Sequence, residues 1–159
     1  NYSVVDDARY EFVADLVAER PRSLVFFLWK HQKHGLEAEF KKRGYKYAVI
    51  DGEASDRDRN EAVQAYQAGL LDAVLAHPAS AAHGLTMTAG QSTIWTSPTY
   101  NLEHFVQGSM RQYRIGQKKK TETIVVVAEG TDEQEVYDKM LVKDARMKNL
   151  LELFASLIK

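Results

Sequence analysis

Residues 107 to 117 read Gln107-Gly108-Ser109-Met110-Arg111-Gln112-Tyr113-Arg114-Ile115-Gly116-Gln117. Steps of four and then three residues return Gln107, Arg111 and Arg114 to one face of a helix that turns every 3.6 residues. Two guanidiniums on one face are planar, permanently charged forks that match phosphate oxygens. Aimed at one spot they stabilise charge on a transferring phosphoryl group, the role of an arginine finger. The same spacing also describes a solvated helix face with basic residues near its C-terminus, which helices favour electrostatically. Spacing alone leaves both readings open.

Other chemistries find little support. His31, His34, His77, His83 and His104 are scattered over separate loops and helices without metal-ligand spacing, so no metal site is expected. The chain has no cysteine, hence no disulfide framework and no thiolate site, in keeping with a reducing compartment. No G-x-S-x-G elbow supports acyl transfer. There is also no G-x-x-x-x-G-K-[ST] loop, so the chain cannot by itself cradle a triphosphate in the P-loop manner.

The elements that must position the motif alternate between apolar runs and amphipathic stretches, the pattern of β-α repeats and a mostly parallel sheet. A first helix is expected over Val4 to Glu19, with Val5, Ala8, Phe12 and Leu16 on its apolar stripe and Val13 and Val17 widening it. Strands are expected over Ser23–Leu28, Tyr47–Ile50, Leu71–Ala76, Ser92–Thr96 and Thr123–Ala128. Between them come a helix over Gln32–Arg43 closed by Gly44, a helix opened by a Ser55/Asp58 capping box, and the helix bearing the arginine motif. Thr131 and Gln134 are expected to cap a helical tail over about 131–159, whose stripe includes Val136, Met140, Leu141, Met147, Leu150, Leu151, Phe154, Leu157 and Ile158. In open parallel sheets ligands gather at the carboxyl ends of the strands. That singles out the loops holding Lys30-His31-Gln32, Asp51-Gly52-Glu53, His77 to Thr88 and Ser97 to Asn101. Within the third, Gly84 permits close backbone approach and Thr86 offers a hydroxyl to phosphate or ribose.

At 159 residues and 45% apolar content the chain has the size and core of one α/β domain. A formal charge of −1 offers no global attraction to nucleic acid, so such binding must come from local patches, Lys118-Lys119-Lys120 among them. No stretch has the length of a membrane span, no signal peptide is visible, and a start at Asn1 is expected of a piece of a longer protein.

In order along the chain, the Leu24–Leu28 strand, Asp51-Gly52, Arg59, Gly84-Leu85-Thr86-Met87-Thr88-Ala89, Tyr100-Asn101, Gln107 through Gln117, and Thr131 to Glu135 with Lys143 resemble the second RecA-like domain of a superfamily-two helicase. The resemblance is nearest to the Swi/Snf-type DNA-dependent ATPases, because Arg114-Ile115-Gly116-Gln117 extends past the point where DEAD-box motifs end. It implies a three-layer α/β/α sandwich around a mostly parallel sheet, a P-loop NTPase-like fold without its own P-loop. It implies that Arg111 and Arg114 act as arginine fingers on ATP and Mg²⁺ held mainly by a first lobe absent from this chain. Gln107 would orient them, and Gly84, Leu85 and Gln117 would lie at the nucleotide. Lys30, His31, Gln32, Asp51, Gly52 and Thr86 would face a nucleic-acid backbone, with double-stranded DNA the expected partner.

The resemblance further implies that the isolated domain is inactive, that the domain partners an N-terminal lobe of the same polypeptide, and that it has no membrane contact. It implies a cytoplasmic location in a bacterial or phage-infected cell, nuclear in a eukaryote. Ala79, Ala81, Ala82, Thr86, Ser97, Tyr100 and Met110 depart from the family pattern and suggest a divergent bacterial or phage member. A non-catalytic RecA-like module and half of an RNA helicase are the alternatives.

Overall fold

The computed structural model describes residues 8–80, 85–109, 119–128 and 130–157, and the side chains within them up to residue 146. Five strands, β1 (Ser23–Phe26), β2 (Tyr47–Ile50), β3 (Ala73–Ala76), β4 (Ser92–Trp95) and β5 (Glu122–Val125), form one sheet in the order β2-β3-β1-β4-β5. Every pairing is parallel. The helices are α1 (Ala8–Glu19), α2 (Lys30–Arg43), α3 (Asp56–Gln67), α4 (Leu102–Ser109) and α5 (Asp132–Leu157).

A sheet covered on both faces requires strands that are apolar on both sides, and β1 and β3 are fully buried. Val25 and Phe27 point to one core with Tyr10, Val13, Ala14, Val17, Leu36 and Phe40, which come from α1 and α2. Leu24 and Phe26 point to the other, with Ala62, Tyr66, Met87 and Trp95, against which Phe105 of α4 packs. The expected three-layer α/β/α sandwich with a parallel sheet is the architecture found.

Local signals acted where their chemistry was strong. Ser55 and Asp58 form a reciprocal capping box at α3, and Gly44 closes α2 at φ 72. Three expectations are corrected. The buried stripe of α1 is Tyr10, Val13, Ala14 and Val17, spaced at three, four and seven residues, and Phe12 is 51% exposed. Helix α2 begins at Lys30, two residues early, because the Gln32 side chain takes the Leu28 N–H and frees the chain to turn straight after β1. At α5, Thr131 Oγ1 accepts from the Glu133 N–H, while the Gln134 amide donates forward to Asp138 Oδ1, so no reciprocal box forms with Gln134. Strand β2 spans Tyr47–Ile50 as expected, whereas β1, β3, β4 and β5 are shorter than expected. In the tail, Val136 and Met140 are buried but Leu141 is 44% exposed, and the stripe from Met147 onward lies outside the described side chains.

Candidate functional site at the carboxyl ends of β1 and β4

The strand order dictates where a crevice opens. From β1 the chain leaves through α2 toward β2, and from its neighbour β4 it leaves through α4 toward β5 on the opposite side. Adjacent strands whose connections diverge leave a gap at their carboxyl ends, the usual ligand position in such sheets. A groove of about 1560 Å³ lies there, lined by Leu28, Trp29, His31 and Gln32 after β1, Ser97 to Asn101 after β4, the first turn of α1, and the start of α5. Arg9 braces one wall, donating to the Thr96 carbonyl at 2.7 Å and to Glu133 Oε1 at 2.6 Å. Glu133 Oε2 in turn accepts from the Ala128 N–H, so α1, β4 and α5 are tied together.

Of the residues assigned to nucleic acid, Lys30, His31 and Gln32 form the first turn of α2. Lys30 is exposed, whereas Gln32 is buried with both ends of its amide used inside the protein. The N-cap position of α2 is Trp29, whose side chain makes no capping bond and is 60% exposed. Asp51 sits just past β2 and is joined to α2 through Lys33 Nζ at 2.8 Å, with both side chains mostly shielded. Desolvation raises the Asp51 pKa, but the hydrogen bonds from Lys33 and the Glu53 backbone outweigh it and the net shift is downward. The same hydrogen bond raises Lys33. A Cβ placed on the adjoining Gly52 would meet no atom within 4 Å, so that loop is open above its backbone. Leu85 packs against the second core and Thr86 is exposed.

Gln107 lies on α4, half-buried, its amide bonded one turn back to Glu103 Oε1 at 3.2 Å. Helix α4 is started by Asn101, whose Oδ1 accepts from the His104 N–H, and is seated by Gly108 on the stacked pair Phe26 and Trp95. Gly84, Arg111, Arg114 and Gln117 lie outside the described residues. The structure thus gathers Lys30, His31 and Gln32 at the crevice, links Asp51 to the same helix, and places Gln107 on the helix that leaves the crevice's other side.

Sequence reasoning passed over Lys33, which neutralises Asp51, and the pairing of Ser97 with Gln32. It also passed over the exposed Trp29, which an aromatic at a helix start, where Ser, Asp or Asn would cap, could have signalled. His77 lines the groove too, its pKa lowered by burial and then by the nearby His104, which favours the neutral ring. Among the described residues no group of three or more His, Cys, Asp or Glu is arranged to hold a metal ion, and no helix is long and apolar enough to cross a membrane.

Comparison with known proteins bears on the family and the fold. The family model described as the helicase conserved C-terminal domain matches residues 8–116. The mouse protein named chromodomain-helicase-DNA-binding protein 1-like is 27% identical over 122 residues, 77% of this chain and 14% of that protein. The chromatin remodeling factor mit1 of Schizosaccharomyces pombe is 25% identical over 142 residues, 88% of this chain and 10% of its own length. An ATP-dependent helicase of Mycoplasma pneumoniae, without assigned role, is 24% identical over 169 residues, 96% of this chain and 16% of that protein. This chain therefore spans a sixth or less of each of these relatives. The crystal structure of the C-terminal part of the Fun30 ATPase domain superposes with a TM-score of 0.74 at 18% identity, covering 84% of this chain and 44% of that one, and establishes the RecA-like fold. The chain belongs to the helicase conserved C-terminal domain family, in its Swi/Snf-type superfamily-two branch.

Proposed function

We propose that the chain is the second motor lobe of an ATP-dependent DNA helicase or translocase. The observation that carries this reading is the divergence of α2 and α4 from the carboxyl ends of the neighbouring strands β1 and β4. One helix presents Lys30 and His31, the other leads through Gln107 into Arg111 and Arg114, and the chain has no G-x-x-x-x-G-K-[ST] loop of its own. ATP with Mg²⁺, held on a separate N-terminal lobe, supplies the phosphoryl group whose transfer to water powers the motor. Arg111 and Arg114 stabilise charge on that group, and Gln107, bonded to Glu103 on the same helix face, orients the segment that bears them. Gly84, Leu85 and Gln117 complete this lobe's side of the cleft.

The nucleic-acid grip fits the first turn of α2 and the loops beside it. No side chain caps α2 and no acidic residue lies in its first turn, an arrangement suited to a phosphate at the helix N-terminus. Lys30, His31, the open backbone at Gly52 beside Asp51, and the exposed Thr86 add contacts that recognise backbone rather than sequence, as movement along a strand requires. Lobe closure over ATP assembles the active site and shifts this grip.

The test uses the full-length protein that contains this chain, with ATPase assays on duplex DNA, single-stranded DNA and RNA. Duplex DNA is expected to stimulate turnover, and Arg114→Ala is expected to lower it by on the order of a thousandfold with far less change in ATP affinity. Near-normal turnover in that variant removes Arg114 from the finger role. Stimulation by RNA alone replaces DNA with RNA as the partner, and hydrolysis by the isolated chain contradicts the half-site itself.

A further inference from the structure

At the crevice the chain spends a buried side chain on a link between two loops. Gln32 is 4% exposed, its Oε1 accepts from the Leu28 N–H at 2.8 Å, and its Nε2 donates to Ser97 Oγ at 2.9 Å. Ser97 is itself 5% exposed, and the bond joins residues 65 apart in sequence. Leu28 marks the exit from β1 and Ser97 the exit from β4. The strands themselves have no need of this tie, because they already pair in register at Leu24 with Thr93, Val25 with Ile94 and Phe26 with Trp95. What the amide adds is a defined distance between the two outgoing loops.

Each end of that link continues into a functional element. Gln32 shares the first turn of α2 with Lys30 and His31, so a displacement of that turn moves the amide directly. Past Ser97, Thr99 Oγ1 accepts from the Asn101 N–H at 3.1 Å and Asn101 Oδ1 accepts from the His104 N–H at 3.0 Å, which carries the ordered polar chain into the first turn of α4. A buried amide that loses one partner leaves a polar group largely shielded from water without a hydrogen bond, so loop and helix are favoured to move together rather than part.

We propose that the Gln32–Ser97 hydrogen bond is a positioning strut that couples engagement of nucleic acid at the start of α2 to the setting of α4, and hence to Arg111 and Arg114 beyond it. The proposal rests on the motor-lobe reading above. Gln32 acts through Ser97 and does not touch the ligand.

The experiment compares wild type, Ser97→Ala and Ser97→Thr in the full-length protein. It measures ATP turnover with and without saturating duplex DNA, duplex affinity by fluorescence anisotropy, and Tm. Removing the hydroxyl is expected to cut the stimulation ratio by about two- to thirtyfold, the span of typical coupling losses, while duplex affinity stays within about twofold. Threonine, which keeps the hydroxyl, is expected to retain the ratio within about twofold. If alanine brings Tm down to the assay temperature, Ser97→Cys makes the same comparison, with a side chain of similar volume that bonds far more weakly. A folded Ser97→Ala or Ser97→Cys protein with the wild-type ratio overturns the strut, and so does a parallel loss of affinity, which would make the pair part of the grip. Absence of stimulation of the wild type by duplex DNA, single-stranded DNA and RNA alike refutes the motor reading and the strut with it, whereas stimulation unaffected by the variants refutes the strut alone.

Discussion

Gly108 is the residue at which packing and helix propensity make opposite predictions. In an unconstrained helix, replacing glycine by alanine stabilises by up to about 1 kcal/mol, because alanine loses less backbone freedom on folding. Here a Cβ at Gly108 would stand 2.8 and 2.9 Å from ring atoms of Phe26 and 3.0 Å from Cζ2 of Trp95. Those rings are both 0% exposed and stacked with centroids 4.5 Å apart, so neither can swing aside into solvent. Ordinary carbon–carbon contact lies near 3.5–4.0 Å, and forcing a methyl group into a filled core costs about 1–3 kcal/mol. Overpacking therefore wins, and Gly108→Ala should be net destabilising by about 1 kcal/mol, with Gly108→Val worse. Urea unfolding of the isolated chain gives the number, with an unchanged m-value as the check that only stability moved. In the full-length protein the same variant should lower ATP turnover by roughly ten- to a hundredfold, more than its stability loss explains, because an outward shift of α4 misplaces the arginine segment that follows it. A Gly108→Ala protein that gains stability by the full propensity increment would refute the close seating of α4 on Phe26 and Trp95.

Two further predictions concern charge. The Lys33–Asp51 pair should contribute about 1 kcal/mol, and its pH window follows from its shifts. Asp51 is depressed below 3.8, so its contribution is present above that value and lost as pH falls through the folded pKa. Lys33 is raised above 10.5, so the same interaction, counted once, persists below that value and is lost only at higher pH. The difference in urea midpoint between wild type and Asp51→Asn should hold steady from about pH 5 to 8 and shrink below about pH 4, and a difference that persists undiminished in acid would show that the carboxylate charge is not its source. Lys30→Ala should leave the Tm unchanged while lowering the slope of log K against log salt for duplex DNA by about one, and an unaltered slope would take Lys30 off the phosphate backbone.

How much was legible varied by element. The Ser55/Asp58 box and Gly44 were read correctly because cap chemistry is complete within a few residues. The stripe of α1 was read in part: Val13 and Val17 are buried and Leu16 packs on the core, but Phe12 and Val13 are equally apolar, and only contact with Phe40 and Leu36 of α2 selects which of them turns inward. The start of α2 was placed late because the pattern of residue types does not say that Gln32 will satisfy the Leu28 amide just past β1. Asp51 and Thr86 were legible as loop residues, whereas Lys30 and His31, expected in a loop, belong to the first turn of α2, and the commitment of Gln32 to Ser97 was not legible.

Sequence alone determined the alternation of apolar runs and helices, the absence of a phosphate loop, and the four-and-three spacing of Gln107, Arg111 and Arg114, because periodicity and motif chemistry are local properties of the chain. It also carried the ordered motif set that marks the helicase family. Tertiary structure alone decided that β1 and β4 are neighbours whose connections diverge, and so where the crevice opens. It also decided that a nominal ligand contact, Gln32, is buried between them. Strand order and the partners of a buried amide depend on residues far apart in sequence, and those meet only when two faces of one sheet are covered at once.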